Sequence, residues 1–344
     1  MADEPPGPQY LQLLANDKVE TLGAGARRRS EQRHLPLRLG GLWSLGGRLM
    51  ANWEPQIRKR VRRATRELGT VLARELHPFC MHVKGHGGVK GAVQLIQRIL
   101  PRVQFVGRFD VASYYRSIRH DLLVAQLRAA RVPERLRALI DDYLRLPDTR
   151  ATGRGLVAGG GLSPLLGALH LLDVDRALGN KRLRGRGVYY LRYMDDILIL
   201  TRTRWQLRHA IATLRRMLGK LDLALHRDKR FIGRTSAGFD FLGYRFQPGR
   251  RLRPAMQSLE RLVTRSRRLY EQGATRARLW RYLQRWVDWL WGGLGGTVSR
   301  QGGRRTYWIY ILERLAIPKP ACPGRASQPA AVEDGTGLRR SGIA

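Results

Sequence analysis

Cysteine and carboxylates are the scarce residues of this 344-residue chain. Its two cysteines, Cys80 and Cys322, lie far apart. That excludes a disulfide-stapled scaffold and fits the reducing cytoplasm. Aspartate and glutamate number 27 against 64 lysines and arginines, a formal net charge of +37. Such an excess creates a field that attracts a polyanion and makes its binding salt-dependent. No apolar run is long enough to span a bilayer, and the start, Met1-Ala2-Asp3-Glu4-Pro5-Pro6, has no secretory-signal pattern, so no membrane partner is expected. Hydrophobic residues make up 43% of the chain, enough for a sizeable core.

With acids so few, two adjacent ones stand out. Residues 190–200 read Tyr-Leu-Arg-Tyr-Met-Asp-Asp-Ile-Leu-Ile-Leu. The runs on either side of Asp195 and Asp196 are rich in strand formers, which places Met194–Asp195 at the tip of a hairpin. Burying two carboxylates is costly unless a cation neutralises them, and a hard divalent cation such as Mg²⁺ does so with oxygen ligands. Upstream, Asp110 ends the strand-like run Phe105–Phe109 and precedes a helix-prone stretch. Read alone, Asp110 is as well explained as a helix cap, and an Asp-Asp pair as a solvated turn. Together they are what two-metal nucleotidyl transfer requires.

At this point the chain resembles the reverse transcriptases. Tyr193-Met194-Asp195-Asp196 is similar to their catalytic hairpin motif, and Phe109-Asp110-Val111 through Tyr114-Tyr115 and Ser117-Ile118 to their first carboxylate motif. Gly155-Leu-Val-Ala-Gly-Gly-Gly-Leu-Ser-Pro-Leu-Leu-Gly-Ala-Leu169 resembles their glycine-rich template-binding motif, although Ala158 stands where the family carries Gln. Ser163-Pro164 also makes a sound helix start, with a capping hydroxyl and Pro at the first helical position. Leu225-His-Arg-Asp-Lys229 and Gly238-Phe-Asp-Phe-Leu-Gly-Tyr244 resemble the lysine motif and the primer-grip turn. These segments occur in family order, and the resemblance covers roughly residues 80 to 295. The nearest likeness is to bacterial enzymes of the group II intron and retron type.

The resemblance implies an α+β right-hand polymerase with a palm sheet, fingers and an α-helical thumb. Asp110, Asp195 and Asp196 would hold two Mg²⁺, with Mn²⁺ as the alternative ion and the Val111 carbonyl completing the coordination. Lys229 would act as general acid to pyrophosphate, and is otherwise a surface lysine. Lys84, Tyr115, Ala158 and Gly159 would border the nucleotide. A bulky Tyr115 would clash with a 2′-hydroxyl and favour deoxynucleotides. Ser163, Pro164, Leu242, Gly243, Tyr244 and the basic helical face Arg261, Arg265 and Arg268 would contact nucleic acid. The implied activity is RNA-directed DNA synthesis from an RNA template, a DNA or RNA primer and dNTPs, with a dedicated structured RNA as a further partner. A retroelement or antiviral defence would be its setting. The rival is a maturase-like RNA-binding scaffold with little synthesis.

The chain divides accordingly. Residues 1–70 read as a basic region or partial fingers, with no clear apolar period through the arginine-dense stretch Arg27–Arg66; Lys59, Arg60 and Arg63 could meet a triphosphate by charge. Residues 71–250 form fingers and palm, 251–316 a helical thumb, and 317–344 a tail expected to be disordered. Helices are expected at Val89–Leu100, Asp121–Ala130, Pro133–Leu146, Ala255–Gln272 and Thr275–Leu290, with Trp280, Trp286 and Trp289 packing the last two. Leu207, Ile211, Leu214 and Leu218 mark another that stops near Gly219. Cys80, His82 and His86 invite a zinc reading but lack a fourth ligand, and a fingers loop with Lys84 near phosphate suits them better. No added nuclease or ribonuclease H segment is visible, so a standalone polymerase unit is expected.

Overall fold

The computed structural model describes residues 39–45, 48–53, 55–146, 152–157, 160–300 and 303–317. The chain divides into two units, Met1–Pro36 and Leu37–Ala344, and every described residue belongs to the second. Ala158, Gly159 and the expected tail beyond Ile317 lie outside the described residues.

Strands β1 (Leu39–Leu45) and β2 (Arg48–Trp53) form an antiparallel hairpin. Helix α1 (Pro55–Leu72) follows. The arginine-dense stretch lies outside the described residues up to residue 38, but its last part, which showed no clear period, runs into this helix, and the boundary placed at residue 70 falls inside it. The reason is visible in α1. Its buried residues Ile57, Val61, Ala64, Leu68 and Leu72 do recur at helical spacing. The arginines crowding its exposed face hide that stripe, which consists of few and partly small residues.

Helix α2 (Gly88–Ile99) leads into β3 (Phe105–Asp110), then the short α3 (Tyr114–Ser117), α4 (His120–Ala129) and α5 (Glu134–Arg145). Helices α6 (Ser163–His170), α7 (Leu172–Gly179) and α8 (Lys181–Gly185) precede the hairpin of β4 (Val188–Tyr193) and β5 (Asp196–Thr201). Helix α9 (Arg204–Lys220) starts from a Thr203–Gln206 capping box and ends where the apolar period predicts. Strand β6 (Phe231–Arg234) completes an antiparallel sheet ordered β4-β5-β3-β6.

Side chains alternate across this sheet. Phe109, Ile197, Ile199, Val188 and Tyr190 pack into one core with the leucines of α6 and α9. Val106, Leu191, Leu198 and Leu200 pack into a second, under α2 and the small sheet β7 (Phe239–Phe241), β8 (Tyr244–Phe246) and β9 (Arg253–Pro254). Helices α10 (Met256–Glu271), α11 (Arg276–Trp291) and α12 (Gly303–Arg314) form the C-terminal unit. Trp280 packs edge-on against Trp308, and Trp286 against Tyr307. Trp289 differs from expectation: it is 42% exposed and stacks on Tyr244 of the small sheet. Ile317, placed in the tail by composition, is buried with Ala274, Leu279 and Leu312.

Candidate active site

The register of the sheet builds the site. β3 pairs with β5 so that Asp110 stands directly opposite Asp196, at the end of the ladder. Directly opposed residues share a face, so both acids belong to the face of Val106, Leu198 and Leu200. β4 pairs with β5 so that Tyr193 faces Asp196 and only Met194 and Asp195 form the loop. The Asp195 carbonyl accepts from the Val111 amide at 3.3 Å, tying the loop to the end of β3. The segment after α9 runs alongside: Ala112 N–H donates to the Ala224 carbonyl and His226 N–H to the Asp110 carbonyl, each at 2.8 Å. That path delivers Lys229, whose ammonium is 3.7 Å from Asp110 Oδ2. Asp110, Val111, Asp195, Asp196 and Lys229, spread over 120 residues of sequence, are thus brought together.

Met194 is the strained point. Its φ is +56°, a left-handed conformation that costs a residue with a side chain roughly 1–2 kcal/mol. Such strain persists where the surroundings over-determine it. Both backbone groups of Met194 are held. Its carbonyl accepts from Arg192 Nη1 at 3.0 Å. Its amide donates to His82 Nδ1 at 3.0 Å. Arg192 is fully buried and also donates to both oxygens of Asp175, at 2.7 and 2.6 Å, and to the Ala168 carbonyl at 3.0 Å. The Tyr190 hydroxyl donates to Asp175 at 2.7 Å. This network gives every nitrogen and carboxylate oxygen of the buried ion pair a partner, the condition under which one is tolerated.

Charge crowding marks the acids. Burial first, then Asp195 and Asp110, pushes the Asp196 carboxyl up to about 6, with Arg108 and Lys229 opposing. Three carboxylates against two partly exposed cations leave a negative, oxygen-only cluster, whose donor chemistry fits a hard divalent cation. Among the described residues, no three His, Cys, Asp or Glu side chains already form a closed set of metal ligands. Cys80, His82 and His86 lie near one another too, but both nitrogens of His82 are engaged, by Met194 and Pro164, and Nδ1 of His86 by the Cys80 carbonyl at 3.1 Å. Burial pushes the Cys80 thiol up to about 12, so it stays protonated.

The remaining sequence-derived residues scatter around this centre. Tyr114 is buried, its hydroxyl donating to the Gly167 carbonyl at 2.6 Å, while Tyr115 is only partly buried. A Cβ at Gly167 would lie 3.2 Å from both rings, so glycine there sets their position. Ser163 does not cap its helix as expected. It is buried, its hydroxyl donating to the Val157 carbonyl at 2.6 Å and pairing with the Tyr143 hydroxyl at 2.7 Å, and Leu162 is the N-cap. Pro164 is partly exposed, and Lys84 is exposed on a loop whose glycines have positive φ. Leu242 and Gly243 form the β7–β8 loop, both with positive φ. Tyr244 is fully buried and so fixes this turn from beneath: its hydroxyl donates to the Leu290 carbonyl at 2.9 Å and accepts from Lys90 Nζ at 2.6 Å. Arg261, Arg265 and Arg268 are exposed on α10.

Paired carboxylates at the end of an antiparallel sheet, helices behind it and a helical C-terminal unit define an α+β fold of the right-hand polymerase type. The reverse transcriptase (RNA-dependent DNA polymerase) family model matches residues 50–246, more than half of the chain. The chain belongs to that family. Protein YkfC of Escherichia coli (strain K12) is 28% identical over 179 residues, covering 42% of this chain and 47% of that protein. The chain thus spans about half the length of this curated relative. Among solved structures, apo telomerase from Candida tropicalis has a TM-score of 0.47 at 10% identity, covering 75% of this chain and 54% of that one. Telomerase from Candida albicans with a fragment of telomeric RNA has 0.43 at 11%, covering 75% and 52%.

Proposed function

We propose that this chain is an active RNA-directed DNA polymerase that extends a primer on an RNA template. The observation that supports this most is the opposition of Asp110 and Asp196 across β3 and β5, beside Asp195 in the loop and Lys229 on the following segment. Asp110, Asp195 and Asp196 would hold Mg²⁺, which supplies activation of the primer 3′-hydroxyl and neutralisation of the pyrophosphate. Lys229, exposed and beside Asp110, is placed to donate a proton to the leaving group. Tyr115 borders the nucleotide sugar. The turn Leu242–Gly243 carries the primer end, and Arg261, Arg265 and Arg268 follow the duplex backbone as a thumb. The family match and the bacterial relative support the same reading.

Extension of a primed RNA template by purified protein tests it. Wild type should incorporate dNTPs, and Asp195→Asn should abolish incorporation. Unchanged synthesis by that variant would mean the site is misassigned. Ala158, standing where the family carries Gln, favours the scaffold reading in one respect. No synthesis by wild type, with tight salt-sensitive RNA binding, would establish that alternative.

A further inference from the structure

His82 belongs to neither strand of the catalytic hairpin, yet its side chain, like that of Arg192 from within the hairpin, joins the hairpin to the glycine-rich segment's helix. The stretch carrying it is docked on the edge of β4: Met81 N–H donates to the Arg192 carbonyl at 2.8 Å, and Arg192 N–H to the Phe79 carbonyl at 2.9 Å. The imidazole then spans two places. Nε2 is 3.1 Å from the Pro164 carbonyl, in the first turn of α6, and Nδ1 is 3.0 Å from the Met194 amide. A carbonyl only accepts and an amide N–H only donates, so Nε2 carries the hydrogen and Nδ1 the lone pair. One tautomer of the neutral ring satisfies both bonds, and burial favours that neutral form. The Cys80 thiol, 3.6 Å from Nδ1, is a weak donor to the same lone pair, consistent with Nδ1 being the unprotonated nitrogen.

Resting on the polymerase reading, we propose that His82 is a positioning residue that couples the Ser163–Pro164 helix start to the catalytic loop, so that seating of the template strand and placement of Asp195 and Asp196 both draw on this ring. Met194 makes the coupling consequential. It sits in a conformation that glycine would take freely, and losing the His82 acceptor lets the loop relax away from it. Asp195 follows Met194 directly, so relaxation moves the acids.

The two halves of the bridge can be cut separately. In His82→Asn the carboxamide oxygen replaces Nδ1 as acceptor for Met194 but nothing reaches Pro164. In His82→Gln the amide nitrogen replaces Nε2 as donor to Pro164 but no acceptor meets Met194. Mn²⁺ affinity, read by electron paramagnetic resonance on the full chain, reports the loop without requiring synthesis. The Kd for a primed RNA template reports the helix start. His82→Gln should weaken Mn²⁺ about 10- to 100-fold, as lost outer supports of metal ligands do, with template Kd near wild type. His82→Asn should keep Mn²⁺ affinity and weaken template binding. Adding Met194→Gly to His82→Gln should recover Mn²⁺ affinity, because glycine removes the strain. Equal losses in both variants, wild-type Mn²⁺ affinity in His82→Gln, or no recovery in the double variant would overturn the proposal. Should wild type bind Mn²⁺ with these differences intact yet synthesise nothing, the polymerase reading falls and the positioning role stands. A wild type that binds no Mn²⁺ overturns both.

Discussion

Asp110 and Asp196 sit opposite one another as the last pair of the β3–β5 ladder, two like charges on one face of a sheet. Opposed like charges destabilise a ladder. The sheet holds them there nonetheless, and the strain is visible in the carboxyl of Asp196, pushed up to about 6 by burial and by its acidic neighbours.

This yields a stability prediction with a definite sign. The folded-state value of Asp196 lies above its ordinary 3.8, so the folded chain binds its proton more tightly. Its contribution is therefore fully present below about pH 4 and is lost as pH rises through about 6. Without divalent ions, Asp196→Asn should be more stable than wild type at pH 8, by up to about 3 kcal/mol, with the gap closing toward pH 4. Mg²⁺ should raise the melting temperature of wild type more than that of the variant. A variant less stable than wild type at pH 8 in chelator would refute the crowding. At limiting Mg²⁺, synthesis by wild type should rise through the same interval.

The ion pair under the loop should behave asymmetrically. Arg192→Met leaves Asp175 buried without its partner and should cost about 3–5 kcal/mol in urea denaturation. Asp175→Asn keeps an oxygen for Tyr190 and Arg192 but leaves the guanidinium charge uncompensated, so it too should destabilise. Replacing both by apolar residues should cost less than the sum of the singles.

Neighbouring tyrosines should separate by role. Tyr114→Phe removes a buried hydroxyl bonded to Gly167 and leaves that carbonyl short of a partner, so it should lower stability by about 1 kcal/mol without changing sugar choice. Tyr115→Val should raise incorporation of ribonucleotides relative to deoxynucleotides by about tenfold or more. Single-nucleotide incorporation with each triphosphate measures it. Unaltered discrimination in Tyr115→Val would reassign the steric contact.

The α10 arginines should act through phosphate alone. Arg261, Arg265 and Arg268 all changed to Ala should lower the slope of log K against log salt by about 2 to 3 for duplex binding. The single-turnover rate at saturating template should stay near wild type. Titration of template affinity between low and moderate salt reads the slope directly.

The chain's centre was legible because its signals were local and strong. An acid pair between two strand-forming runs gave the hairpin, an apolar period gave α9, and the ranges expected for α2, α4 and α5 agree with the structure within a residue or two. Residues whose importance lies in distant partners were not legible. Arg192 reads as one charge in a strand, and only the fold reveals Asp175 beneath it. His82 read only as part of a fingers loop because its partners, a proline carbonyl and a backbone amide, carry no sequence signature. Ser163 looked like a cap because Tyr143, which takes its hydroxyl, is twenty residues away. In α1, arginine excess masked the period that the core enforces.

Cys80 lies fully buried, its backbone bridged to Arg192 just before the Met194–Asp195 loop, and is the one free thiol among the described residues. An alkylating reagent can reach its sulfur only after that packing has come apart. The speed at which Cys80 is labelled in the native protein therefore serves as a stopwatch for breathing of the floor beneath the acids, built into the chain without any engineered probe.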